Sequence, residues 1–298
     1  MVTLITMFRL LRRLPWLGLT LLSLTLATAH AARSDTPTVA TLDWTIAETL
    51  VALGVTPHAV AQVDAYHDWV GEPPLPDSVI DLGLRTQPNL ELLASLEPDR
   101  ILISPMFANL TSRLSRIAPV ENLALYTPQS DTWEQMGELT RQVARLVERP
   151  HAGERLIETT EAHLASLRNS LGDDHPPLLI IQFMDERHVR VFGEHGLYQA
   201  VLDRLGLTNA WQGPTNYWGF SLVGIESLVD IDAQLVVVEP YPVGVEPQLT
   251  NSGLWQNLPS VRDGTLITLP SVWSFGALPS AKRFATELVA ALEGDDAL

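Results

Sequence analysis

The most unusual chemical feature of the sequence is a set of tryptophans in stretches rich in glycine, proline and asparagine. Such stretches predict loops, and loops held by a rigid scaffold often carry binding residues. One loop tryptophan usually covers the core of its own domain, whereas several from distant parts of the chain favour an aromatic binding cleft. The tryptophans concerned are Trp69, Trp211, Trp218 and Trp273.

Arg85 is the residue near these stretches that could hold an anionic group. It lies beside a predicted turn, between Gly83 and Pro88, where its ordinary role is a surface ion pair. Next to an aromatic cleft, its planar guanidinium could instead donate paired hydrogen bonds to partly anionic ligand oxygens. The sequence around Arg85 leaves both roles open.

The signatures of common enzyme classes are absent from the sequence. It contains no P-loop, no G-x-G-x-x-G after a strand, no H-E-x-x-H and no G-x-S-x-G. The chain has no cysteine, and its eight histidines show no paired spacing typical of a metal site. Nothing in these patterns argues for catalysis, and His188 and His195, which flank a strand-turn, fit ordinary loop histidines better than metal ligands.

The charge balance of the chain is strongly acidic, with 19 basic and 35 acidic residues and a formal net charge of −16. Nucleic acids and anionic membranes attract proteins through basic patches, so this composition argues against both as partners. Beyond the N-terminal region, no stretch is as long and apolar as a membrane-spanning helix requires. We expect no membrane insertion of the mature chain.

Residues 1–31 predict a secretory signal peptide. Three arginines precede an apolar run over residues 14–29, and Ala29-His30-Ala31 has small residues at the two positions that a signal peptidase reads. The run is shorter than the roughly 20 apolar residues of a membrane anchor, the competing interpretation. Arg12-Arg13 leaves the twin-arginine export route open. Without a cysteine for a lipid anchor, the mature protein is expected to be free in the periplasm.

Short apolar runs that alternate with helical patterns predict the scaffold. Strands are expected at residues 39–42, 59–63, 100–103, 178–183, 189–192, 235–239 and 266–269. A long helix is expected from Pro150, which suits a first helical position, to Leu171 before Gly172. The pattern predicts α/β lobes with mostly parallel sheets, at residues 32–149 and 172–298, joined by the helix at 150–171. A single larger sheet is the alternative.

Two long stretches of the sequence, residues 72–86 and 209–219, together with shorter ones at 116–119, 191–193 and 272–273, match a known pattern. They closely resemble the periplasmic proteins that bind ferric hydroxamate siderophores, within the class III periplasmic binding protein family. The resemblance implies two lobes joined by one long helix, with a shallow aromatic cleft between them. It also implies a monomer that delivers its ligand to an inner-membrane ABC permease with its ATPase.

The resemblance further implies roles for the candidate cleft residues. Arg85 would hydrogen-bond the hydroxamate oxygens, and Asn216 would add a polar contact. A ferric ion with three hydroxamates is nearly neutral and already six-coordinate, so iron would stay coordinated by the siderophore and no cofactor is expected. The rings expected to contact the siderophore are Trp69, Trp218 and Trp273, with Trp44 and Trp211 more peripheral.

The sequence departs from the family pattern inside the expected cleft. Phe107 and Phe275 stand where the family has tyrosines, and Phe220 stands where it has a small hydroxyl residue. Retuning towards another hydroxamate, or towards a mixed hydroxamate–carboxylate siderophore, would fit these changes. A receptor for haem, cobalamin or a catecholate chelate remains an alternative, with Tyr66 or His67 as the axial ligand of haem. An exported siderophore-processing enzyme is the alternative from another class.

Transporter docking in this class uses one acidic residue on each lobe, which pairs with permease arginines. Glu226 is the candidate on the C-terminal lobe. The corresponding N-terminal position holds Ser112, so Glu48 or Glu72 is expected to take its place.

Overall fold

The computed structural model describes residues 36–127, 131–172 and 174–294. The signal peptide predicted at residues 1–31 lies outside these ranges and stays a prediction. In the ranges described, no helix combines the length and the apolar character needed to cross a membrane.

The first sheet of the described chain has five parallel strands in the order β3-β2-β1-β6-β7. Alternate residues of β6 enter two different cores, Leu102 on one face and Ile101 with Ile103 on the other. This two-sided burial explains why residues 100–103 form an unbroken apolar run. A short hairpin, β4-β5, follows the edge strand β3. The strands are β1 Val39–Thr41, β2 Ala59–Val60, β3 Ile80–Asp81, β4 Gly83–Leu84, β5 Gln87–Pro88, β6 Arg100–Ile103 and β7 Val120–Asn122.

The second sheet of the described chain has five strands in the order β10-β9-β8-β11-β12. Its strands β8, β11 and β12 are parallel, whereas β9 and β10 run antiparallel to their neighbours. The described chain is thus α/β with mostly parallel sheets, as the sequence predicts. The strands are β8 Leu178–Phe183, β9 His188–Phe192, β10 Phe220–Gly224, β11 Gln234–Val238 and β12 Ile267–Leu269.

The helices cover both sheets and connect them. Besides the α-helices, the described chain has two 3-10 helices, at Pro105–Leu110 and Ile225–Leu228. The α-helices are α1 Trp44–Ala52, α2 Val63–Trp69, α3 Leu90–Ser95, α4 Thr111–Leu114, α5 Thr132–Leu146, α6 Pro150–Ser170, α7 Leu197–Leu205, α8 Val245–Leu249, α9 Gly253–Gln256, α10 Pro259–Arg262 and α11 Leu278–Glu293.

The strand predicted at residues 59–63 is wrong at its C-terminal end, because β2 ends at Val60 and α2 begins at Val63. The carboxylate of Asp81 accepts hydrogen bonds from the backbone N–H groups of Gln62 and Val63, at 3.0 and 3.2 Å. Side-chain acceptors of this kind take the place of strand pairing and satisfy the open N–H groups of a helix start. Trp69 therefore lies at the end of a helix and not in a loop.

The long helix between the two lobes is α6, which spans 21 residues and has Pro150 at its start. It packs against α5 at Gly153, where a Cβ atom would lie 2.7 Å from the Cβ of Ala144. Only glycine permits this close approach of the two helices. One helix therefore joins the lobes, and α5 holds it against the first lobe.

A single apolar core runs between the lobes. The largest cluster of buried apolar side chains contains Val39 and Leu102 from the first sheet and Ile180 and Val236 from the second. Helices α5, α7 and α11 contribute the residues between them. Because protein interiors are close-packed, a core shared in this way resists relative movement of the lobes.

Residues 272–277, which lead from β12 into α11, form a bridging segment that side chains of both lobes hold by hydrogen bonds. From the first lobe, Thr45 Oγ1 donates to Phe275 O at 2.8 Å, and the Tyr126 hydroxyl donates to Gly276 O at 2.5 Å. From the second lobe, the Tyr198 hydroxyl lies 3.0 Å from Ser274 Oγ. The backbone of this segment is therefore fixed from two sides.

Glu48 on α1 is fully buried against the start of α11. Its carboxyl accepts hydrogen bonds from Ala277 N, at 2.6 Å, and from the Ser280 hydroxyl. The group thus satisfies N–H groups at the N-terminus of α11, where the helix dipole favours an acceptor. Burial raises the pKa of Glu48 to about 8, although the hydrogen bonds from Ser280 and Ala277 oppose this shift. The prediction of Glu48 as a docking acid is wrong, since a buried carboxyl cannot reach a permease.

Glu48 makes the stability of the protein depend on pH. Its folded-state pKa of about 8 lies above the ordinary value of 4.5, so wild-type stability falls as the pH rises through this window. Glutamine can accept from Ala277 and donate to Ser280 without titrating. We expect the unfolding free energy of Glu48→Gln, relative to wild type, to grow by about 1 kcal/mol per pH unit between about pH 5 and pH 8.

Urea unfolding at a series of pH values measures this difference. The same substitution at the exposed Glu158 on α6 is the control and should change stability little at any pH. A difference between Glu48→Gln and wild type that stays constant over the whole range would contradict a buried, protonated Glu48.

Candidate functional site

Aromatic rings from both lobes and from the bridging segment form a continuous row, the aromatic wall. Neighbouring ring centroids lie 5.0 Å apart for Trp44–Trp273, 5.2 Å for Trp273–Phe275 and 5.8 Å for Phe275–Phe220. Trp218 continues the row, stacked at 6.4 Å from Phe220. Trp218 and Trp273, two of the tryptophans predicted from distant parts of the sequence, thus lie in one row with Trp44 at the junction of the lobes.

Two tryptophans of the aromatic wall are fixed by their indole N–H groups. Trp44 Nε1 donates to Ala61 O at 2.9 Å, and Trp273 Nε1 donates to Thr45 Oγ1 at 3.1 Å. Both residues are largely buried, whereas Phe275, Phe220 and Trp218 are half-buried. The open part of the wall is therefore at the phenylalanines and Trp218, with the buried tryptophans supporting it.

Arg85 lies at one end of the aromatic wall, carried by the β4-β5 hairpin. Its guanidinium carbon is 4.3 Å from the ring centroid of Trp44, 5.2 Å from Phe107 and 5.5 Å from Trp273, all within the range of cation–π attraction. Its Nε donates to Leu42 O at 3.0 Å. The side chain is thus held by three rings and one backbone carbonyl.

The outer edge of the Arg85 guanidinium remains available to a ligand. Throughout the described ranges, no carboxylate lies within ion-pair distance of it. Burial lowers the pKa of Arg85, and the more distant carboxylate of Asp43 acts in the opposite direction. Arginine stays charged despite such a shift. Arg85 is therefore a positioned cation with unused hydrogen-bond donors.

Phe107 supports Arg85 and does not line the open surface. The ring lies on the 3-10 helix Pro105–Leu110 and is only 1% exposed. A ligand above Arg85 would find no surface of Phe107 to touch, so the expected direct contact is not supported by its position. Phe107 has no hydroxyl group to offer a ligand. It can affect binding only by holding the guanidinium of Arg85 in place.

Helix α2 places two other candidate residues beside the aromatic wall. Trp69, its last residue, is half-buried and packs on the cluster that contains Trp44 and Trp273. Tyr66 is fully buried and donates its hydroxyl to Pro73 O at 2.7 Å. It therefore has no free oxygen at the surface to serve as the axial ligand of a haem.

Asn216 shapes the loop that carries Trp218. Its Oδ1 accepts hydrogen bonds from Trp218 N at 3.0 Å and from Phe220 N at 3.3 Å. Asparagine side chains commonly organise tight turns in this way. The side-chain nitrogen alone remains for a ligand, so Asn216 first positions the aromatic wall and can then add one donor.

Trp211 lies apart from the aromatic wall. Its indole packs over Gly193, where a Cβ atom would lie 2.6 Å from the ring, and its Nε1 lies 3.4 Å from Pro214 O. It lines a separate open groove of about 790 Å³ together with polar residues such as Asp131 and Asp203. The structure does not bring Trp211 together with the other predicted site residues.

Arg190 is a cleft residue that the sequence analysis missed. It lies on β9, and its guanidinium carbon is 5.2 Å from the ring of Phe220 and 5.3 Å from that of Phe275. The signal in the sequence is a single arginine within an apolar strand, where Val189 and Val191 are buried on the opposite face. A charge on the inner face of a strand needs a partner, and in this chain it finds rings.

Large exposed apolar side chains surround the candidate site. Leu84 and Met106 directly precede Arg85 and Phe107, and Met106 is 62% exposed. On the other side, Leu222 pairs with Arg190 across the strands and is 60% exposed. Exposed apolar surface next to a cleft is typical of a binding site for a bulky ligand.

In the described ranges, no group of three His, Cys, Asp or Glu residues could hold a metal ion.

Comparison with known proteins relates the chain to one family. The model of a family described as periplasmic binding protein matches residues 39–272. The iron(3+)-hydroxamate-binding protein FhuD of Escherichia coli K12 is 36% identical over 276 residues, which cover 90% of each chain. The achromobactin-binding periplasmic protein of Dickeya dadantii is 29% identical over 282 residues, covering 88% of this chain and 89% of that one.

A solved structure has the same architecture. The siderophore-binding protein FhuD from Vibrio cholerae, bound to Fe3+-Desferal, matches with a TM-score of 0.80 at 29% identity. The match covers 86% of this chain and 99% of that one. The petrobactin-binding protein YclQ from Bacillus subtilis shares the fold, with a TM-score of 0.68 at 19% identity.

Proposed function

This chain belongs to the periplasmic binding protein family, and from that premise we propose that it captures an iron(III)–hydroxamate siderophore and delivers it to an inner-membrane ABC importer. The observation that carries the proposal is Arg85 at the end of the aromatic wall, half-buried and without an ion pair in the described chain. The protein would work as a monomer in the periplasm, with the siderophore as its ligand and the permease with its ATPase as its partner.

The chemistry of a ferric hydroxamate complex fits this site. Six hydroxamate oxygens fill the coordination sphere of the iron, so the complex offers partly anionic oxygens on one side and apolar linkers elsewhere. A guanidinium donates to neighbouring oxygens in parallel, and aromatic rings pack on the linkers. Iron stays coordinated by the siderophore, and the protein supplies neither a metal ligand nor a catalytic group.

The relatives support the same class of ligand. The Escherichia coli protein binds iron(3+)-hydroxamate, as its name states, and the Vibrio cholerae structure holds Fe3+-Desferal. Both are receptors and not enzymes by these descriptions, which favours binding without chemical change of the ligand. The exported enzyme is therefore the weaker proposal.

The shared core and the bridging segment favour capture with little closure of the lobes. Closure by a hinge requires a few residues that absorb large changes of backbone angles. Here helix α6 joins the lobes, and Thr45, Tyr126 and Tyr198 hold the bridging segment by hydrogen bonds from both sides. We propose that the ligand binds in a largely preformed cleft.

Glu226 remains the proposed docking acid of the second lobe. It is exposed at the 3-10 helix Ile225–Leu228, where a partner protein can reach it. For the first lobe we propose Glu72, which is also exposed, in place of the buried Glu48. An acidic residue on each lobe would pair with arginines of the permease.

Ligand capture should be visible in tryptophan fluorescence. Trp218 and Trp273 lie in the proposed cleft, and a bound ferric complex absorbs light and quenches nearby indoles. Titration of the mature protein with ferric desferrioxamine B and with ferrichrome should give saturable quenching. Iron-free siderophore and haem serve as controls. Absence of quenching and of heat by calorimetry across ferric hydroxamates, in a folded protein, would contradict the proposed function.

Arg85 should contribute strongly to affinity. Replacement by glutamine removes a charged donor to the hydroxamate oxygens, which is worth roughly 1.5–3 kcal/mol, so the Kd should rise at least about tenfold. The matched control is Arg204→Gln, since Arg204 is an exposed residue of α7 that lies 4.9 Å from the Trp133 ring, away from the aromatic wall. Equal changes of the Kd in both variants would show that Arg85 does not contact the ligand.

A further inference from the structure

Arg190 faces the aromatic wall from the second lobe, as Arg85 does from the first. Arg190 packs on Phe275 and Phe220, and Arg85 packs on Trp273, whose ring is 5.2 Å from that of Phe275. Two arginines therefore approach one pair of neighbouring rings from different lobes. A ligand that packs on the half-buried rings of Phe275 and Phe220 would lie beside Arg190, in the row of rings that leads to Arg85.

Arg190 has no charged partner that would explain its position. In the described part of the chain it forms no ion pair, and its one hydrogen bond to another side chain runs from Nη1 to Gln182 Oε1 at 3.2 Å. Burial lowers the pKa of Arg190, and the Tyr198 phenol acts in the opposite direction. A half-buried charge without a counterion is costly, so a purely structural role would be served better by an apolar residue.

The residues around Arg190 also favour a role in ligand binding. Gln182 is fixed by a hydrogen bond from Ser274 Oγ at 3.3 Å, so its oxygen holds Arg190 in a defined position. Phe220 and Phe275, two half-buried rings of the aromatic wall, both lie next to this guanidinium. The second lobe therefore holds a positioned cation at the open part of the aromatic wall.

We propose that Arg190 binds a second anionic group of the ligand, a free carboxylate outside the coordination sphere of the iron. The cleft is accordingly selective for ferric hydroxamate siderophores that carry such a carboxylate over neutral or cationic ones. This inference rests on the proposed function, because it assumes that a ferric hydroxamate occupies the aromatic wall above Arg85.

A matched set of ligands tests the selectivity without changing the protein. Desferrioxamine B has a terminal amine, which acetylation makes neutral and succinylation converts to a carboxylate, while the iron-binding hydroxamates stay the same. The ferric complexes are then cationic, neutral and anionic at one end. Wild type should bind the succinylated complex about tenfold more tightly than the acetylated one, as measured by calorimetry.

Variants assign the selectivity to Arg190. In Arg190→Gln the ratio of the affinities for the succinylated and the acetylated complex should fall from about ten to about one. Arg190→Lys should retain part of the advantage, and Arg204→Gln all of it. Arg85→Gln should weaken binding of all three complexes to a similar degree, because Arg85 contacts the hydroxamates that they share.

The two hypotheses fail in different ways. If the wild type binds none of the three complexes, nor ferrichrome, the proposed function is wrong. If the wild type binds all three complexes with the same affinity, or if Arg190→Gln keeps the full preference for the carboxylate, then the role of Arg190 is wrong while the proposed function stands. Circular dichroism and thermal unfolding show whether each variant is folded, and Arg190→Lys decides the role of Arg190 if the glutamine variant is not.

Discussion

The hydrogen bonds from the first lobe to the segment that leads into α11 are the constraint on which the cleft depends. Glu48 binds Ala277 and Ser280, while Thr45 binds the carbonyl of Phe275 and the indole of Trp273. These contacts fix the start of a helix and the two rings just before it. Without them, Trp273 and Phe275 would belong to a mobile loop, and the aromatic wall would have no defined centre.

The resulting site has few polar groups, but its rings and its two guanidinium groups are held in defined positions. Its rings come from three separate parts of the chain, and each guanidinium is oriented by rings and by one neutral oxygen, Leu42 O for Arg85 and Gln182 Oε1 for Arg190. In a protein with a net charge of −16, two cations without carboxylate partners create a local field of opposite sign. An anionic group of a ligand would therefore be attracted to a surface where the ligand can also bury apolar groups.

The scaffold could be predicted from the sequence because its signals are local. Apolar runs mark the strands, and Pro150 and Gly172 mark the long helix. What sequence reasoning missed depends on distant partners. Glu48 resembles a surface acid of a short helix, yet the backbone N–H that it binds lies 229 positions further along the chain. Arg190 falls inside a strand, and the rings that stabilise it there come from two other segments.

The core that the lobes share also limits how the protein can report its state to a partner. A receptor that closes around its ligand presents a different outer shape when loaded. This one would keep nearly the same outline with and without cargo, because its lobes are packed as one body. The importer would then have to distinguish full from empty receptors by the part of the ligand that the receptor leaves uncovered, so that the cargo itself would become part of the docking interface.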